Sequence, residues 1–259
     1  MRILRGAHRE LRTIWKIARV MVFFAVFSVV LALLGSLPHL GWLSDYAIHT
    51  GAILAVLLST ALEKRSLGFV GLSVDKRWAR ELLTGMLWGA ASVVIVVLGM
   101  VWITNELSLD AFFAGAGIGA VGGSVLFYVL LALGEEVLFR GYLISVLRTR
   151  LGEAPSIMIA AGVFTLIHII NPDYYWFAFV YAFIIAILLG SVFVRRGTLW
   201  IVVGFHFTWD FLQSNVVFNV PARGGEVIFA IVLAANFIVA RRLARNSRGS
   251  LTDLEQETP

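Results

Sequence analysis

Long apolar stretches alternate with short polar breaks along almost the whole chain, at roughly 17–37, 46–62, 81–103, 120–147, 156–170, 175–194, 199–219 and 225–240. A helix needs about 20 largely apolar residues to cross a hydrocarbon core about 30 Å thick. The pattern therefore predicts an all-α, polytopic membrane helical bundle with about eight transmembrane helices. The breaks hold helix-ending residues, as in Gly35-Ser36-Leu37-Pro38, Asn171-Pro172-Asp173 and the run from Val220 to Gly225. The first apolar run resembles a signal peptide, but it is long and no clear small-residue cleavage site follows it, so it reads as an uncleaved first helix.

The basic residues test this partition, because Lys and Arg concentrate at the cytoplasmic ends of membrane helices. With eight spans, 19 of the 21 basic residues fall on one side; Arg223 lies on the other, and Arg140 lies inside a span. Both termini are thereby predicted to be cytoplasmic. A miscount by one span would scramble this segregation. Residues 1–248 read as a single integral membrane domain, and the polar stretch 249–259, with Asp253, Glu255 and Glu257, as a disordered cytoplasmic tail. The segment from Glu63 to Glu81 mixes Lys64, Arg65, Lys76, Arg77 and Arg80 with Leu67, Phe69, Val70, Leu72 and Trp78. It suits either a surface element resting on anionic lipid or a solvated basic loop.

Composition agrees: 59% of the 259 residues are apolar, 14% are charged and the mean hydropathy is +0.88, against about 45–50% apolar in a soluble domain. The net charge of +5 comes from scattered residues that form no basic, aromatic-interleaved surface, which argues against a nucleic-acid partner. Without cysteine, disulfides and thiolate metal sites are excluded. No repeat relates the two halves, which argues against an inverted-repeat transporter. Three Lys against 18 Arg hints at a GC-rich genome, hence a bacterial or archaeal plasma membrane.

Charged residues inside the apolar runs are where chemistry is expected, since each costs about 2.5–3.5 kcal/mol at a helix centre on insertion scales. The fourth run reads Leu131-Ala-Leu-Gly-Glu135-Glu136-Val-Leu-Phe-Arg140. Glu136 and Arg140, four apart, share a helix face and can pair. Glu135 points about 100° away from Glu136 and is less well placed for the same partner. The trio is either a buried ion-pair cluster joining helices or a site in which the unpaired Glu135 serves as a general base on water. The fifth run carries Phe164 to His168, and the seventh carries His206 and Asp210, whose spacing of four puts imidazole and carboxylate on one face.

Two chemistries fit the set. In one, Glu135, His168, His206 and Asp210 supply ligands and a base for a divalent metal such as zinc. In the other no metal is needed: Glu135 and His168 activate water, while His206 and a protonated Asp210 stabilise the oxyanion of a tetrahedral intermediate. The zinc signature with two histidines on one helix turn is absent.

With Glu135-Glu136-x-x-x-Arg140, Phe164-x-x-x-His168 and His206-x-x-x-Asp210 in order, and Phe139-Arg140-Gly141 and Gly197-Thr198-Leu199-Trp200 around them, residues 120–215 resemble the CPBP family. These are the CAAX-processing and bacteriocin-processing intramembrane endopeptidases, also grouped as abortive-infection proteins. The resemblance implies a bundle of about eight membrane helices that cleaves a membrane-associated protein or peptide, prenylated or bacteriocin-like. It implies Glu135 as catalytic base, Glu136 and Arg140 as its supporting pair, His168 as partner in water activation, and His206 with Asp210 as the oxyanion or metal side. The departure is Asp210, where the prenyl-protein proteases typically carry Asn. An amide donates as it stands and a carboxyl only when protonated. The alternative is a non-catalytic immunity or partner-binding scaffold of the same family. On a simple up-and-down topology, at about 1.5 Å per residue, His168 and Glu135 would differ in depth by up to ~10 Å, a gap that tilting or a sunken fifth helix would close.

Overall fold

The computed structural model describes residues 13–104, 118–168, 176–217 and 225–245. The predicted breaks at Asn171-Pro172-Asp173 and before Gly225, the tail 249–259, and Arg223 lie outside them, as do the first basic residues up to Arg12.

Eight helices follow the eight apolar runs: α1 Thr13–Gly35, α2 Trp42–Leu62, α3 Trp78–Thr104, α4 118–151, α5 Glu153–Ile167, α6 Trp176–Arg196, α7 Trp200–Leu212 and α8 Gly225–Arg245. The described residues contain no strand. Six helices are long and apolar enough to cross a membrane, where the run pattern predicts about eight. The two shorter ones are α5, with 15 residues, and α7, with 13 before a wider turn continues it over Gln213–Val217. At about 1.5 Å per residue, 15 residues reach ~22 Å, short of a core of about 30 Å. These two short helices carry His168 and the His206–Asp210 pair.

The helices meet where side chains are small. On α3, Gly85 and Gly89 let the backbone of α7 lie directly against them: a Cβ at Gly85 would strike the Ile201 carbonyl, and one at Gly89 would come within 2.6 Å of the Phe205 carbonyl. Gly204 answers from α7, where a Cβ would strike the Leu82 carbonyl. This is the small-x-x-x-small contact by which membrane helices approach without a hydrophobic driving force between them. It fixes the helix that carries His206. Residues of α1 such as Ile14, Val22, Val29 and Leu33 face outward, as expected for a helix against lipid.

Charged residues at the helix ends pair across the bundle. Arg19 of α1 and Lys16 (Nζ to Oε2, 3.4 Å) both reach Glu63 at the end of α2, and the Tyr142 hydroxyl donates to the same carboxylate at 2.6 Å. Glu81 near the start of α3 pairs with Arg196 at the end of α6. These contacts bring together, two by two, helix ends that the charge pattern assigns to one side.

The segment after Glu63 is neither a separate amphipathic surface helix nor a free loop. A short 3₁₀ turn, Leu67–Val70, buries Val70 completely. Gly71, at φ 76°, turns the chain so that its carbonyl accepts from the Leu199 amide (2.9 Å), and Trp200 Nε1 donates to Ser73 O (2.8 Å). The segment is thereby fastened under the start of α7, while Lys64, Lys76, Arg77 and Arg80 remain exposed. Asp75 accepts from the Arg77 amide at 2.8 Å, a bond that holds its carboxyl below the usual range.

Candidate active site

Midway along α4 the hydrogen bonding widens from the α pattern, which ends at Glu135, to a π-helical stretch over Glu136–Ile144, before α geometry resumes at Ser145. Such stretches are rare and concentrate at functional sites. This one holds Glu136 and Arg140, both buried.

The Glu136 side chain is fully buried, and its Oε1 accepts from Arg140 Nη1 at 2.9 Å, so the predicted pair forms. The same oxygen lies 2.7 Å from His206 Nδ1 on α7. Glu136 is therefore not explained by Arg140 alone; it ties α4 to α7. Arg140 is held from the other side by the Phe164 ring, 4.3 Å beneath its guanidinium carbon, a cation–π contact strengthened by exclusion of water. Phe164 also packs on Phe139 (5.4 Å between centroids), His168 (4.6 Å) and His206 (6.4 Å). The aromatic residue of the Phe164-x-x-x-His168 spacing is thus the platform on which the cluster rests.

His168 caps the C-terminus of α5, and its Nδ1 lies 2.7 Å from the Phe164 carbonyl. A carbonyl only accepts, so in the neutral ring the proton sits on Nδ1 and Nε2 is the basic nitrogen. His206 Nε2 lies 3.1 Å from Asp210 Oδ2 and 3.7 Å from Glu135 Oε2. His206, with carboxylates at both ring nitrogens, donates to both as imidazolium; in the neutral ring one nitrogen accepts and requires a proton on the carboxyl it faces.

Glu135 differs from its neighbour. It makes no hydrogen bond among the described residues, and its side chain is 18% exposed where that of Glu136 is 0%. His206 stands 3.7 Å from Glu135, and Phe164 packs on both His206 and His168. All six residues singled out by sequence gather around His206 and Phe164, and the short α5 ends at His168.

Two positions escaped the sequence reading. His49 of α2 sets its carbonyl against Gly134 and its ring edge-on to Phe127 at 5.5 Å. It could have been found by the criterion that found His168, an ionisable side chain inside an apolar run. Gly134 is where α2 touches α4, since a Cβ there would come within 2.7 Å of the His49 carbonyl. Nothing in the sequence marks which of the 24 glycines does this.

The metal reading does not fit the donors as arranged. No group of three or more His, Asp or Glu side chains among the described residues is placed to hold a metal ion. Both ring nitrogens of His206 already face carboxylates.

Fold and site together define a multi-pass membrane protein whose polar, chemically competent residues are gathered inside the helical bundle. Residues 117–212 match the family model described as type II CAAX prenyl endopeptidase Rce1-like. The matched stretch runs from the start of α4 to the end of α7, holds all six candidate residues, and is similar to the family that the motifs resemble. No curated protein matches the chain.

Proposed function

We propose that this protein is an intramembrane endopeptidase that hydrolyses a peptide bond in a membrane-associated protein or peptide. The observation that carries the reading is the contrast between adjacent glutamates: Glu136 Oε1 is held by Arg140 and His206, whereas Glu135 stands beside His206 without a hydrogen bond among the described residues. Glu135 takes a proton from water, and the water oxygen forms a bond to the carbonyl carbon as the C=O π electrons move onto oxygen. His206, on the side of Asp210, donates to that oxyanion. As the intermediate collapses, the C–N bond breaks and Glu135 returns the proton to the leaving nitrogen. His168, with its basic Nε2, assists in orienting the water, and Glu136 and Arg140 hold His206 in place. No step is routed through a metal.

The family match supports a prenylated, CAAX-type substrate. The charge segregation supports cytoplasmic termini, and the ratio of 3 Lys to 18 Arg supports a bacterial or archaeal cell membrane. Comparing membrane proteomes of cells that express the native chain or Glu135→Gln tests the reading: uncleaved substrate accumulates only with the variant. A biological effect that survives Glu135→Gln and His206→Ala would favour a non-catalytic partner-binding scaffold.

A further inference from the structure

The segment between α2 and α3 exposes more positive charge than its contacts within the chain use. Two helices long and apolar enough to cross a membrane, Trp42–Leu62 and Trp78–Trp102, end and begin at it, so it lies at the depth of the lipid headgroups. Its acidic residues are all engaged: Glu63 by Arg19 and Lys16, Asp75 by Arg77 at 3.0 Å, and Glu81 by Arg196. Among its cations, Arg77 has Asp75, and Arg65 lies over the Phe69 ring at 5.0 Å. Lys64, Lys76 and Arg80 are exposed, and their side chains make no hydrogen bond or ion pair among the described residues. Lys64 stands at φ 56°, in the left-handed turn that ends α2, a position that usually holds glycine.

The segment folds back on itself and brings its two ends together. A Cβ on Gly68 would lie 2.9 Å from Ser73 Oγ and 3.3 Å from Ser66 Oγ, and the Leu72 amide donates to the Leu67 carbonyl at 2.9 Å. Lys64 precedes this turn by two residues and Lys76 follows it by three, so both cations and two exposed hydroxyls share one small surface. Apolar side chains stand among them: Val74 is 73% exposed and Leu67 46%, and Trp78 packs on Trp200 at 5.6 Å. Cations suited to phosphate, beside valine, leucine and tryptophan suited to the glycerol and upper acyl region, complement an anionic lipid. We propose that this turn, with Lys64, Lys76 and Arg80, is a binding site for the headgroup of an anionic phospholipid. The site is fastened to the helices that carry the cluster. A Cβ on Gly141, next to Arg140, would come within 2.9 Å of the Val70 carbonyl, and the carbonyls of Gly71 and Ser73 accept from Leu199 and Trp200 at the start of α7. Lipid held there steadies the junction of α4 with α7.

The test uses full-length protein in nanodiscs of equal phosphatidylcholine and phosphatidylglycerol, with the lipids retained on release counted by native mass spectrometry. The native chain should retain phosphatidylglycerol over phosphatidylcholine by about tenfold, and the triple variant Lys64→Gln, Lys76→Gln, Arg80→Gln should show no more than about twofold preference. Removing as many cations from the end of α8, as Arg241→Gln, Arg242→Gln, Arg245→Gln, should leave the preference within about twofold of native. Phosphatidylglycerol should also raise the unfolding midpoint of the native chain and of the α8 variant, and not that of the segment variant. Equal losses in both triple variants would reduce the effect to general attraction by a basic face and overturn the proposal. So would equal retention of the two lipids by the native chain, or displacement of phosphatidylglycerol by millimolar glycerol phosphate, which would mark a site for free anions. Neither readout involves peptide cleavage, so the outcome stands apart from the endopeptidase reading.

Discussion

Glu136 Oε1 lies 2.7 Å from His206 Nδ1, so a fully buried carboxylate on the fourth helix sets the orientation of an imidazole on the seventh. Removing one partner of such an arrangement strands charge in a medium that cannot solvate it. Glu136→Ala should therefore lower stability by about 3–5 kcal/mol as well as abolish cleavage. Thermal unfolding in detergent, run beside the activity assay, checks both. Glu136→Gln, which keeps an acceptor, should be the milder in stability.

Phe164 supports the same network from below, with its ring 4.3 Å under Arg140. Truncating a buried phenylalanine costs about 3–5 kcal/mol, and here it also frees the guanidinium. Phe164→Ala should lose both stability and activity. Arg140→Lys should not rescue function, because an ammonium lacks the planar face that stacks on the ring. Unfolding midpoints and kcat for both variants decide this.

Packing between α3 and α7 gives a prediction remote from the chemistry. Gly204 lies two residues before His206, and a Cβ there would strike the Leu82 carbonyl. Gly204→Val and Gly85→Val should push the helices apart and remove activity. Gly162→Ala and Gly122→Ala, where a Cβ meets nothing within 4 Å, should leave it near native. Comparable losses in both groups would show that the contact has no special part in placing His206.

At the basic end of the bundle, Tyr142 donates to Glu63 at 2.6 Å. Deleting that hydroxyl leaves Glu63 with Arg19 and Lys16. Tyr142→Phe should cost about 1.5–3 kcal/mol, the worth of a hydrogen bond to a charged group. Its kcat should stay close to native, as measured by unfolding and by turnover of the same preparation.

Chelation separates the two chemistries that the sequence left open. Because no group of three or more donors among the described residues is arranged for a metal, cleavage by protein dialysed against EDTA should equal that of untreated protein, and added zinc should not raise it. Loss on chelation with recovery on zinc would restore the metal reading.

Much of this architecture was legible in the residues. The apolar runs placed all eight helices, because a backbone in hydrocarbon must satisfy its own hydrogen bonds. The spacing of four in Glu136–Arg140 and His206–Asp210 gave both pairs. The bridge from Glu136 to His206 was not legible, since hydropathy carries no information on which helices are neighbours. Nor does the run pattern show that α5 and α7 fall short of a span: an apolar run marks what tolerates a buried setting, not what crosses a membrane. His49 stands four residues after Asp45, so the second run carried a spacing of the same kind. Gly85 and Gly89 at a spacing of four could have marked a close helix contact. Their partner on α7 could not have been named.

Glu135 remains the residue on which the account turns. The most direct measurement is single-turnover cleavage of a prenylated CaaX peptide by purified protein in proteoliposomes, native against Glu135→Gln, with matched unfolding curves. The account predicts product from the native protein and a loss of at least about 10³-fold in the variant, consistent with removal of a general base. Cleavage by Glu135→Gln at the native rate would contradict it.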